Sequence, residues 1–272
     1  MAQRPRARRG IFSMIMLGGL MACSSQPDFG PRASIGLMSA LPLFWHEESS
    51  PSAMISGKDQ RAPLVTALAA HHKVKPLDVL DAAGLKRIEV LILAQPRLLQ
   101  PGELVALDSW IRRGGRALIF ADPELAWPSD LPLGDRRRAP LISLLDPLYR
   151  HWGLSLDGPS DHNHADPINA EIAGHSVTLT APGRWQASTD SGDCRFESGG
   201  LVADCQLGSG RVILVADADL LDGRVWAEAK VDGSQAVLAL VARLTEVRGM
   251  VETGREHLKD RDEKKIESPN FP

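Results

Sequence analysis

From Ile88 to Asp122 the chain alternates in a way that few folds accommodate. Ile88-Glu89-Val90-Leu91-Ile92-Leu93-Ala94 is a strand-length apolar run closed by Gln95-Pro96. Pro101 then opens a helix, Glu103 favours its N-terminal dipole, and Leu104, Leu107, Trp110 and Ile111 recur at helical spacing. Arg112-Arg113 occupy the last turn and Gly114-Gly115 end it. Ala117-Leu118-Ile119-Phe120-Ala121 is a second apolar run, stopping at Asp122-Pro123. Strands this uniformly apolar need cover on both faces, and strands alternating with helices pair in parallel. The segment therefore predicts an α/β fold around a parallel sheet.

The rest of the chain divides around it. Ile35–Leu41 reads as a first buried strand, 64–70 as a short helix, and Leu77-Asp78-Val79-Leu80 as a second strand. Ala139 to Trp152 reads as a helix ended by Gly153. From 154 to 210 the texture changes to short alternating segments with many turn residues, predicting an antiparallel β insertion. Arg211 to Asp217 returns to the parallel-strand pattern, and Ser234 is the expected cap of a helix reaching Val247. The expected boundaries are 34–153 and 211–248 for the α/β domain, 154–210 for the insertion and 249–272 for a charged, disordered tail.

The N-terminus sets the compartment. Arg4, Arg6, Arg8 and Arg9 precede an apolar run, Ile11 to Met21, that is too short to span a bilayer. Ala22 is the small residue of a signal cleavage site, and Cys23 follows it directly. Leu20-Met21-Ala22-Cys23 resembles the lipobox of bacterial lipoproteins, which implies removal of 1–22, lipidation of Cys23 and a tether over 23–33. An ordinary secretory signal with a chance cysteine is the other reading. Ser24 favours the outer membrane over the inner under the sorting rule that goes with such lipoproteins. The whole chain has 31 basic and 34 acidic residues, net −3. Residues 1–22 hold four arginines and no acid, so the chain from Cys23 has 27 basic against 34 acidic, or −7. An acidic protein of this kind is a poor ligand for nucleic acid, and membrane attachment is expected through the lipid. In an oxidising compartment Cys194 and Cys205, which flank a strand–Ser-Gly-Gly–strand segment, can form a disulfide. Two buried thiols are the alternative.

Several phrases carry a family resemblance: Leu91 to Pro96, Glu103 to Asp108, Trp110 to Pro123, Leu144-Leu145, Trp152 to Leu156, Gly208 to Val212 and Ala216 to Asp219. Together they resemble the extracytoplasmic domain of the uncharacterised ABC-type transport-system family, which is related to the gliding-motility auxiliary component and to a GIFT-like domain. The resemblance implies a flavodoxin-like sheet of the class I glutamine amidotransferase type, with helices on both faces. It also implies a binding or accessory role beside an envelope partner, with an ABC-type permease as the expected one.

The chemistry-bearing residues fall at strand ends. Amidotransferase-like enzymes carry a nucleophile on a tight elbow after a strand. The matching turn here, Ala94-Gln95-Pro96-Arg97, has no Cys or Ser, and no Gly-x-Ser/Cys-x-Gly elbow occurs. This predicts a protein without enzymatic activity and without a cofactor. In open α/β sheets ligands bind beyond the carboxyl ends of the strands. Those ends supply Trp45, His46, Gln95, Asp122, Asp217 and Asp219 as candidate ligand-binding residues. Asp122 and Asp217 can equally serve as turn caps. Asp161-His162-Asn163-His164-Ala165-Asp166 has metal-like composition but reads more readily as a solvated loop, so no metal is expected. The competing reading is a metal-assisted hydrolase using Asp122, Asp217, His46 or the 161–166 loop. It requires those groups to converge on one point.

Overall fold

A computed structural model describes residues 32–45, 52, 61–159, 167–188 and 193–246. The signal segment, Cys23 and its tether as far as Pro31, His46, the 161–166 loop and the charged tail lie outside the described residues.

The described residues include eleven strands and six α-helices. The strands are β1 (Ser34–Ser39), β2 (Lys73–Pro76), β3 (Val90–Ala94), β4 (Arg116–Phe120), β5 (Leu154–Asp157), β6 (Ile168–Ile172), β7 (His175–Leu179), β8 (Arg184–Ala187), β9 (Asp193–Glu197), β10 (Val202–Leu207) and β11 (Gly210–Val215). The helices are α1 (Pro63–His71), α2 (Ala82–Leu85), α3 (Pro101–Arg112), α4 (Asp146–His151), α5 (Gly223–Ala229) and α6 (234–246). Seven strands form one sheet in the order β2-β1-β3-β4-β11-β10-β9. Its first five are parallel, and their sequence order 2-1-3-4-5 is that of a flavodoxin-like sheet. β10 and β9 extend it antiparallel.

Alternation along the strands decides which core each residue joins. Val90, Ile92, Leu118, Phe120, Ile213 and Val215 face one cluster, closed by α1, α5, α6 and the β6–β7 hairpin. Leu91, Leu93, Ala117, Ile119, Val212 and Leu214 face the other, closed by α2, α3, α4 and the β5–β8 pair. Each strand is thus buried on both sides, as its unbroken apolar run requires. α3 begins at Pro101 with a capping box between Gln100 and Glu103, and its end is seated against the β10–β11 turn, where Ser209 N donates to Arg112 O at 3.0 Å.

Four expectations need correction. The second strand is Lys73–Pro76, not 77–80. Leu77 leaves the sheet, and its side chain lies so close to Gly36 that a Cβ there would stand 2.5 Å from Leu77 Cδ1. Of 139–152 only Asp146–His151 is helical, because an earlier start would place Pro147 inside the helix. Ser234 is not the cap of α6. Asp232 Oδ1 accepts from Ser234 N at 3.0 Å and Ser234 Oγ at 2.5 Å. β9 and β10, read as part of the insertion, belong to the main sheet, while β5–β8 and β6–β7 are separate two-stranded sheets. Cys194 and Cys205 face each other across β9 and β10 and are joined as a disulfide.

Candidate functional site

The carboxyl ends of β3, β4 and β11 bring four of the expected residues together. Gln95, Asp122 and Asp217 are fully buried and Asp219 is 3% exposed. Gln95 stands at the elbow after β3 with a left-handed φ of 41°, although a proline follows it. Hydrogen bonds hold it there. Its backbone N donates to Phe120 O at 2.9 Å, its Oε1 accepts from Asp122 N at 2.9 Å, and its Nε2 donates to Pro140 O at 2.9 Å and Asp122 O at 3.3 Å. The Gln95 side-chain amide is thus consumed by the backbone at the elbow after β3.

The three aspartates are arranged in the same manner. Asp122 Oδ1 accepts from Glu124 N at 2.8 Å and Oδ2 from Ala218 N at 2.9 Å. Asp217 Oδ1 accepts from Leu220 N at 2.5 Å and Oδ2 from Thr180 N at 3.1 Å. Asp219 Oδ2 accepts from Ala126 N at 2.8 Å. Each carboxylate ties a strand end to a loop that follows it or crosses it. Burial pushes the Asp122 carboxyl up to about 6. Burial and then the charge of Asp122 push Asp219 to about 7. Asp217 lies well above the usual carboxylate range, from burial first and then from Asp122 and Asp219.

These four residues form the buried floor of the pole; the cavity beside them has other walls. A cavity of about 520 Å³ opens between the loops after β1, β4 and β11. Pro42, Pro63, Trp127, Asp130, Asp222 and Arg224 are among its lining. The Arg224 guanidinium lies 5.5 Å from the centre of the Trp127 ring and pairs with Asp222 at 2.8 Å. Asp222 also caps α5 by accepting from Arg224 N at 2.9 Å. Asp219 positions Trp127 indirectly, through its bond to the neighbouring Ala126 N.

The expected convergence on one crevice is therefore corrected. Gln95, Asp122, Asp217 and Asp219 meet, but beneath the surface and outside the cavity lining. Trp45 is 42% exposed on the bend after β1 and does not line the cavity either. His46 lies outside the described residues. Among the described residues no group of three or more His, Cys, Asp or Glu is arranged to hold a metal ion. Sequence reasoning missed Trp127, Asp222 and Arg224. The available signal was a tryptophan just after Asp122-Pro123 and an aspartate immediately before Gly-Arg at a helix start.

The structure is similar to several solved proteins at low identity. A putative ThuA-like protein from Bacteroides uniformis ATCC 8492 is 12% identical over 78% of this chain and 89% of its own, with a TM-score of 0.41. A cytoplasmic protein from Salmonella typhimurium LT2 is 10% identical over 78% of this chain and 99% of its own, with a TM-score of 0.47. An exo-beta-1,4-mannosidase from Opitutaceae bacterium strain TAV5 is 13% identical over 79% of this chain, at a TM-score of 0.44, and the match spans only 36% of the mannosidase. At these levels none bears on function. No curated protein shows significant similarity to the sequence. The profile described as ABC-type uncharacterized transport system matches residues 32–159, which hold β1 to β5, Gln95, Asp122 and Trp127, and the family implies association with a transport system. Over those residues, just under half of the chain, the sequence is similar to the ABC-type uncharacterized transport system family.

Proposed function

We propose that this protein is a non-enzymatic, lipid-anchored envelope component of an ABC-type transport system, anchored at Cys23 and binding a ligand or envelope partner at the carboxyl pole of its sheet. One observation carries the non-enzymatic part. Gln95, Asp122, Asp217 and Asp219, at the ends of β3, β4 and β11, bond to backbone groups beneath the cavity, and among the described residues no Cys or Ser stands at the elbow after β3. A catalytic site needs a reactive group within reach of a bound substrate. The binding part is supported by the adjacent cavity, with Trp127 as a flat apolar wall and Asp130 and Arg224 as its charged rim. The anchor is supported by the lipobox-like Leu20-Met21-Ala22-Cys23. Among the described residues no helix is long and apolar enough to cross a membrane.

The test is site-directed photocrosslinking in intact cells. A photoreactive benzoylphenylalanine replaces Asp130, at the cavity rim, or Val105, exposed on α3. An adduct from position 130 with a subunit of an ABC-type transporter, absent from position 105 and lost with Trp127→Ala, is expected. Equal adducts from both positions, or none from 130 in a normally folded protein, contradict the proposal.

A further inference from the structure

The two poles of the sheet carry different chemistry. Ser34 pairs with Lys73, Ile35 with Val90, Leu91 with Ala117 and Arg116 with Arg211, so the amino ends of β2, β1, β3 and β4 form one pole. Five exposed cations stand there: Arg32 before β1, Lys73 opening β2, Lys86 and Arg87 before β3, and Arg113 before β4. Among the described residues none of the five forms an ion pair. Lys86 and Arg113 share a cavity of about 350 Å³ with Trp110, Glu89 and Arg116. Glu89 is the acid within the group, and it accepts from Ser34 N at 3.4 Å. Of the other acids near this pole, Asp108 pairs with Arg112 at 3.0 Å and Asp204 with Arg211 at 2.6 Å, and the rest lie to one side. Asp193 opens β9, three strands from β4, or about 14 Å at ordinary strand spacing. Glu246, at the end of the described α6, acts on Arg211. A chain that is −7 overall from Cys23 thus keeps a basic face across four adjacent strands.

The helix ends explain only part of this. Lys86 and Arg113 follow α2 and α3 and suit their C-terminal dipoles. Arg32, Lys73 and Arg87 cap no helix. The second observation is where the chain enters the fold. β1 begins at the basic pole, and the nine steps from Cys23 to Arg32 span at most about 32 Å. A lipid on Cys23 would therefore attach to the fold from the side of this pole, within that reach of the bilayer.

We infer that the amino pole is a membrane-facing surface that binds anionic phospholipid headgroups through Arg32, Lys73, Lys86, Arg87 and Arg113. The inference deepens the anchored reading above, but its chemistry operates with or without lipid on Cys23. Cations near an anionic surface each strengthen attachment about fivefold, and the effect is screened by salt. The molecule then stands with its cavity pointing away from the membrane that carries it.

The experiment uses the full chain carrying Cys23→Ser, which removes the lipid while leaving the N-terminal segment common to all variants. Its co-sedimentation with phosphatidylglycerol-containing vesicles is compared with that of a variant also carrying Lys73→Gln, Lys86→Gln, Arg87→Gln and Arg113→Gln. A third variant, Arg136→Gln at the opposite pole, serves as reference, and melting curves check that all three fold. The four-site variant is expected to bind at least tenfold more weakly at low salt, the reference to match its parent, and high salt to erase the difference. Equal binding by all three, or equal weakening by Arg136→Gln, overturns the inference. So does unchanged vesicle binding alongside lost transporter crosslinking, which would make the pole a protein contact. Lipidation of Cys23 is read separately by mass, so a failed anchor and a failed surface are distinguishable.

Discussion

Asp217 has both carboxylate oxygens committed to different loops, Leu220 N on one side and Thr180 N on the other, in a fully buried setting beside two more acids. That arrangement makes it a structural tie with a pH dependence. The folded pKa values of Asp122, Asp217 and Asp219 are raised above their unfolded values. Their contribution to stability is full below the unfolded value of about 4 and lost as pH rises through the folded ones, the direction opposite to that of a salt-bridged acid. The melting temperature should therefore fall between about pH 4 and about pH 7. Asp217→Asn should flatten that fall while costing about 1–2 kcal/mol at the acid end, because its amide faces one of the two backbone donors. A melting temperature that rises steadily over this range would contradict the assignment. Gln95→Ala should cost about 2–4 kcal/mol in denaturant unfolding, since it strands the Asp122 N–H and the Pro140 carbonyl and leaves the left-handed turn unsupported. Little of this could be read in the sequence. Asp122 and Asp217 looked equally able to cap a turn or to bind a ligand. Only the three-dimensional positions of Ala218, Thr180 and Ala126 showed that backbone donors occupy them. His72, at the end of α1, is buried too, and burial lowers its pKa and favours the neutral ring.

Among elements, legibility followed how much of the decision was local. α3 starts and stops where Pro101, Glu103 and Gly114-Gly115 say it should, because caps and breakers act within one turn. β2 was misplaced because its Lys-Val-Lys-Pro sequence is that of a polar edge strand, whereas the apolar 77–80 segment is packed as a loop. The β9–β10 hairpin was visible as a hairpin, but which sheet it joins depends on the pairing of β10 with β11 through Gly208-Ser209. The seat of α3 on that turn is tight. A Cβ at Gly210 would run into the carbonyl oxygens of Ile111 and Gly115, so Gly210→Ala should shift the unfolding midpoint by several times more than the same change at Gly102, which has open space around it. The Cys194–Cys205 link closes the outer strand pair over a separation of 11 residues. Removing it with Cys194→Ala and Cys205→Ala should cost about 3 kcal/mol, read by denaturant unfolding of the oxidised parent against the double variant.

At the scale of the whole molecule, the sheet separates two surfaces. The amino pole gathers exposed cations where the chain enters the fold, and the carboxyl pole gathers buried acids beneath a cavity walled by Trp127 and Arg224. Net charge alone pointed away from electrostatic contact with lipid, because it averages over poles that only the fold separates. The anchored reading depends on a covalent lipid at Cys23. Intact mass of the protein from a membrane fraction, beside Cys23→Ser, tests this most directly. The account predicts loss of residues 1–22 and a lipid-sized gain that the variant lacks. An unlipidated mass, or the same mass change in the variant, would contradict it.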